Sequence, residues 1–132
     1  MSTMDAGELV ALAREARRHA YAPYSRFAVG AALLTRSGKV FSGANVENAS
    51  VGLTICAERV AVTKAVSEGE REFEAIAVVT QNGASPCGAC RQVLAEFSPQ
   101  MRVILADLNG HSSEWTVRDL LPASFGPADL NL

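Results

Sequence analysis

A chain of 132 residues with 48% hydrophobic and 20% charged positions has the composition of one ordinary globular domain, residues 1–132, and is too short for two. Twelve Lys and Arg against fourteen Asp and Glu leave a formal charge of −2, so the overall field does not attract polyanions, and neither nucleic acid nor an acidic membrane surface fits as the primary partner. Three cysteines are an odd number for a disulfide framework and too few for a stapled secreted module, which points to the cytoplasm and to thiols kept for another purpose.

Residues 5–20 place Leu9, Leu12, Ala13, Ala16 and Ala20 at helical spacing. Asp5 is a suitable N-cap three residues before Glu8, and Arg17, Arg18 and His19 suit the negative end of the helix dipole. The charges scattered through this stretch match neither a signal peptide nor a membrane span. Ala22-Pro23-Tyr24-Ser25 ends the helix, and Phe27–Thr35 followed by Lys39–Phe41 read as a hairpin turned at Ser37-Gly38. A largely buried helix is predicted over Ala57–Glu68, with Gly69 just past its end. Ala75–Thr80 reads as a short buried strand; Cys90, Val93, Leu94 and Phe97 then share one helical face until Ser98-Pro99, and Arg102–Asp107 reads as another buried strand. Trp115–Leu121 suits either a short strand or a helical turn. This alternation predicts an α/β domain with helices on both faces of a mixed sheet. Mean hydropathy of +0.12 is high for so small a domain and points to apolar surface buried between subunits.

Cys56 is followed 31 residues later by Pro86-Cys87-Gly88-Ala89-Cys90. All three thiols fall at predicted helix N-termini, where unpaired N–H groups and the positive dipole end favour a thiolate. Three thiolates would hold zinc with its fourth position open, as in a catalytic rather than a structural site. Other readings use the same residues. A redox Cys-x-x-Cys pair leaves Cys56 and Glu58 without a role, a structural zinc knot lacks a fourth ligand, and buried cysteines often merely pack. His19 and His111 lie in surface turns and are poor candidates for that ligand. Glu58 sits one residue into a buried helix, where a carboxylate without a task is costly, although the dipole alone also favours an acid there. Zinc with three thiolates carries one net negative charge, which opposes ionisation of a bound water. Arg59 is therefore expected to hydrogen-bond the thiolates, its alternative being a surface helix arginine.

Cys-Ala-Glu followed by Pro-Cys-x-x-Cys resembles the signature of zinc deaminases acting on nucleobases, a class whose mechanism is already known. The resemblance to the cytidine deaminase family extends to Pro23-Tyr24-Ser25-Arg26-Phe27-Ala28-Val29-Gly30, to Gly43-Ala44-Asn45-Val46-Glu47-Asn48-Ala49-Ser50, to Cys87-Gly88-Ala89-Cys90-Arg91-Gln92 and to Leu120-Leu121-Pro122. It implies a three-layer α/β/α sandwich around a mixed five-stranded sheet, and a homotetramer whose active sites lie near subunit interfaces. It further implies one zinc per subunit on Cys56, Cys87 and Cys90, and hydrolytic deamination of cytidine and 2′-deoxycytidine to the uridines and ammonia, in pyrimidine salvage. Glu58 corresponds to the proton shuttle: zinc-bound water loses a proton to it, adds to C4, and Glu58 delivers protons to N3 and the leaving amino group. Asn45 and Glu47 match the ribose-binding pair, although Asn45 and Asn48 alone would read as turn residues. Phe27 matches an aromatic wall of the base pocket, Ala57 a backbone contact to the base, and Phe125 an aromatic that closes a neighbouring subunit's site. Val51 departs from the pattern, since the family usually has Tyr there. The same chemistry on a nucleotide, a nucleoside antibiotic or cytosine in RNA is the alternative substrate reading, and a non-catalytic zinc or redox module the alternative class. No phosphate loop or cationic cluster lies near Asn45–Asn48, and Glu47 would repel phosphate.

Overall fold

The structure, a computed structural model, describes residues 4–130. The first helix, α1 (Ala6–Arg17), opens on the predicted cap: the Asp5 carboxylate accepts from Glu8 N at 2.8 Å and the Glu8 carboxylate from Asp5 N at 3.0 Å. It ends three residues before the predicted limit, because the N–H groups of His19 and Ala20 bond only three residues back, to Ala16 and Arg17. Leu9, Ala13 and Ala16 are buried, whereas Leu12 is 40% exposed and lies outside the apolar stripe.

Five strands form one sheet in the order β2-β1-β3-β4-β5: β1 (Gly30–Thr35), β2 (Val40–Ala44), β3 (Phe73–Val79), β4 (Arg102–Ala106) and β5 (Ser112–Thr116). Only β3 and β4 run parallel, joined through α3 (Gly88–Phe97); the other neighbours are antiparallel, so the sheet is mixed. One face is covered by α1, with Leu9 and Ala13 packed near Ala32, Leu34 and Ile104. The other is covered by α2 (Ala57–Ser67) and α3, with Ala61, Val62 and Leu94 over Leu33, Ile76, Val78 and Val103. All six residues of β1 are buried because both of its faces are covered. The β1–β3 register slips after Leu34↔Ala75 to Thr35↔Phe73, leaving Glu74 as an extra residue in β3. That bulge turns Phe73 onto the α3 face, where its ring lies 5.6 Å from that of Phe97.

Several predicted boundaries shift by one to three residues: β2 extends to Ala44, β3 begins at Phe73 and ends at Val79, and α2 and β4 each end one residue early. Phe27–Val29 precede β1 instead of forming its start. Trp115–Leu121 is strand and helical turn in succession: β5 ends at Thr116, whose hydroxyl caps α4 (Val117–Leu120) by accepting from Asp119 N at 3.1 Å. Among the described residues no helix is long and apolar enough to cross a membrane.

Glycine sets how closely the helices approach the sheet. A Cβ at Gly30 would stand 2.0 Å from the Ala13 carbonyl oxygen, and one at Gly43 would stand 2.5 Å from that of Ala57 and 2.7 Å from Ala61 N. Neither backbone can yield without moving its helix. Gly43→Ala is expected to lower stability by about 1–3 kcal/mol through overpacking, read as a lower urea midpoint at unchanged m-value. An unshifted midpoint would mean that α2 can lift off the sheet at no cost.

Candidate active site

Sheet register brings several segments to one end of the molecule. Gly30 pairs with both Ala44 and Val79, so the residues entering β1, those leaving β2 and those leaving β3 meet there. The N-termini of α2 and α3 complete the end, with Cys56 and Cys87 as their N-cap residues. Between these segments lies a cleft of about 290 Å³ whose walls include Phe27, Asn45, Glu47, Cys56, Glu58 and Cys87.

Cys90 occupies the first turn of α3 and is fully buried, Cys56 is half-buried and Cys87 is exposed. Their sulfurs converge. Cys56 Sγ lies 4.0 Å from Cys87 Sγ, which lies 3.5 Å from Cys90 Sγ, and all three fall within 4.8 Å of one another. Tetrahedral zinc with Zn–S bonds of about 2.3 Å holds its sulfurs about 3.8 Å apart, and the separations of 4.0 and 3.5 Å lie on either side of that value. Electrostatics agrees. The Cys56 thiol is pushed down to about 5, first by a hydrogen bond from Cys90 and then by Arg59 against the opposing effect of burial, while Cys90 is pushed up as the partner that keeps the proton and by its own burial. Three sulfurs at this spacing suit a soft divalent ion, whose binding displaces the remaining thiol protons and leaves one position for water.

Glu58 is the second residue of α2 and only 4% exposed. Burial pushes its carboxyl up to about 7, with the neighbouring Cys56 charge adding to the rise, so it exchanges protons near neutrality. Arg59 turns back along the helix and donates to Cys56 Sγ and to the Thr54 carbonyl, each at 3.4 Å. Its Nε is buried and, among the described residues, has no hydrogen-bond partner. The Arg59 guanidinium thus points back to the N-terminus of α2, against the Cys56 sulfur.

Asn45 and Glu47 are both committed to backbone. The Asn45 amide oxygen accepts from Val29 N at 2.9 Å, and its nitrogen donates to the Phe27 carbonyl at 2.8 Å. These bonds do for Phe27–Val29 what a strand ladder would have done, and they hold the Phe27 ring in the cleft wall. Glu47 accepts from Tyr24 N at 2.9 Å, from Ser25 N at 3.1 Å and, closest of all, from the Ser25 hydroxyl, which with those amides holds its carboxyl below the usual range. Asn48 is a turn residue, its side chain accepting from Ser50 N at 2.8 Å.

Ala57 is fully buried at the first position of α2. Phe125 is 58% exposed and, among the described residues, is not one that lines this cleft. His19 is exposed, and His111, also exposed, pairs with Asp107 at 3.0 Å; neither lines the cleft. The sequence reading missed Thr54, Thr80, Ala84 and Ser85 in the wall, since nothing in their residue types marks them.

Comparison with known proteins agrees with the chemistry of this cleft. A family model described as the cytidine and deoxycytidylate deaminase zinc-binding region matches residues 4–106. The chain is 55% identical over 131 residues to a cytidine deaminase of Halalkalibacterium halodurans, covering 97% of this chain and 99% of that one. Its identity to the cytidine deaminase of Sporosarcina psychrophila is 51% over 131 residues, covering 97% and 96%. A crystal structure of cytidine deaminase from Burkholderia pseudomallei superposes with a TM-score of 0.91 at 50% identity, covering 92% of this chain and 100% of that one.

Proposed function

The chain belongs to the cytidine and deoxycytidylate deaminase zinc-binding family, and from that premise we propose that it is a cytidine deaminase, converting cytidine and 2′-deoxycytidine with water to the corresponding uridine and ammonia. The observation that carries this reading is a buried carboxylate, Glu58, beside three convergent thiols in a cleft sized for a nucleoside. Cys56, Cys87 and Cys90 hold one zinc ion per chain. When bound, zinc supplies Lewis acidity to the site.

The remaining steps fall to the chain's own groups. Glu58 takes a proton from the attacking water and passes it to N3 of the cytosine, then takes the proton of the new hydroxyl on C4 and passes it to the amino group, which leaves as ammonia, a cycle suited to a carboxyl that titrates near 7. Phe27 offers an aromatic face to the base, and the Ala57 backbone N–H, at the first position of α2 where no intrahelical acceptor exists, is the donor to the base. Asn45 and Glu47 face the ribose, where the amide's second N–H and the carboxylate suit hydroxyl groups. The cleft wall contains two carboxylates and, among the described residues, neither Lys nor Arg, which favours a nucleoside over its phosphate.

Arg59 hydrogen-bonds the thiolate of Cys56 and offsets part of the charge on the metal site. Arg59→Ala is expected to weaken zinc affinity about 10–100-fold, measured by competition with a chromogenic chelator. Unchanged affinity would assign Arg59 to packing alone.

The one-domain chain assembles as a homotetramer in which Phe125 closes a neighbour's cleft. Supporting this, Tyr21, Val46, Val51, Leu53 and Ile55 are exposed apolar side chains beside the cleft, with Val46 bridged to both Tyr21 and Ile55. Val51 is 80% exposed where the family has a phenol, and it adds to this apolar surface. Its setting is cytoplasmic pyrimidine salvage. The deciding experiment assays the zinc-loaded protein for absorbance change and ammonia release on cytidine, 2′-deoxycytidine and cytidine monophosphate. Turnover of the two nucleosides with little on the monophosphate is expected. Bound zinc with no ammonia from any of the three would defeat the enzyme reading.

A further inference from the structure

The helix that carries Cys90 also makes a connection that the reaction does not use. Arg91 sends its guanidinium to three acceptors: Nε donates to the Pro86 carbonyl at 2.8 Å, and the two terminal nitrogens donate to Ser85 Oγ at 2.7 Å and to the Leu120 carbonyl at 2.6 Å. Ser85 and Pro86 are part of the cleft wall and lead directly into Cys87. The Leu120 carbonyl is the last of α4 and has no partner within its own helix, so the cation there also favours the dipole end. Next along α3, Gln92 Nε2 donates to the Phe125 carbonyl at 2.8 Å.

Two consecutive side chains of α3 thus grip the C-terminal segment at Leu120 and at Phe125. Between the grips Ala123 sits at φ 53°, a left-handed conformation that an L side chain keeps only where its surroundings impose it. A planar fork with five donors can reach three separately placed acceptors at once, which a lysine cannot.

We propose that Arg91 is a positioning residue that couples the Ser85–Cys87 wall of the cleft to the C-terminal segment bearing Phe125. Holding Pro86 fixes where Cys87 presents its sulfur, and holding Leu120 makes that placement depend on how the C-terminal segment is seated. The kinetic part of this inference rests on the deaminase reading; the structural part does not.

The test compares the zinc-loaded wild type with Arg91→Met, Arg91→Lys and Gln92→Ala by amide hydrogen exchange, by zinc transfer to a chromogenic chelator and by steady-state kinetics on cytidine. Arg91→Met is expected to speed exchange in both 84–90 and 120–127, to speed zinc transfer about ten-fold, and to raise KM by more than it lowers kcat. Gln92→Ala should loosen only 120–127, and Arg91→Lys should fall between Arg91→Met and wild type. Native exchange in 84–90 and native zinc transfer in Arg91→Met would overturn the proposal, as would equal loosening of 84–90 by Gln92→Ala. If Arg91→Met does not fold, Arg91→Lys carries the same comparisons. A wild type that does not deaminate cytidine would refute the deaminase reading, while exchange and zinc transfer would still decide the coupling.

Discussion

Glu58→Gln should reduce cytidine turnover by roughly 10⁴-fold while zinc content and fold remain native. The amide matches the carboxylate in shape but can neither accept the water proton nor deliver one to N3 or the departing amino group. Glu58 is 4% exposed, so the substitution also removes a carboxylate from a setting that resists its charge, and no loss of thermal stability is expected. Metal analysis beside the kinetics separates a lost proton shuttle from a lost metal site. Glu58→Gln turning over within ten-fold of wild type, with full zinc, would mean that another group moves the protons.

Removing the metal should be as severe. Dialysis against a strong chelator is expected to abolish turnover, and re-addition of zinc to restore it. The stability cost follows from linkage: a ligand present at a thousand times its dissociation constant stabilises the native state by about 4 kcal/mol, which for a domain of this size is a fall in Tm of roughly 10–20 °C on its removal. The three sulfurs join the starts of α2 and α3, so the loss should be felt first where those helices meet the sheet. Turnover that survives complete removal of zinc would contradict the assignment of Cys56, Cys87 and Cys90 as the functional ligand set.

Much of this architecture is legible in the chain because it is written in residue types with few other uses. Asp5 and Glu8 announce the first helix, and thiols at two helix starts with an acid between them announce the metal site. Elements held by anything other than their own pattern are harder to read. Phe27–Val29 look like strand because they are apolar, yet their backbone bonds largely to side chains, those of Arg17, Ser25 and Asn45, instead of to a neighbouring strand. In β5 the apolar alternation that betrays a strand is missing, since four of its five residues are exposed along the sheet edge. Glu47 lies in the cleft wall, and its bond with the Ser25 hydroxyl is not legible in the sequence, because only the folded turn brings them together. Arg91 lay in plain view beside Cys90, and its three acceptors are defined only by the loop it holds.

The Asn45 amide has a consequence for redesign. That side chain bonds the backbone at both ends of Phe27–Val29, so substitutions there would shift Phe27 and the backbone together instead of merely enlarging the space. Across the cleft, Ala84 contributes a small side chain while its position is set by its backbone N–H, which donates to Thr80 Oγ1 at 2.8 Å. Library diversity aimed at new pyrimidine analogues should therefore be concentrated at Ala84, where shape can change without disturbing the scaffold, and withheld from Asn45.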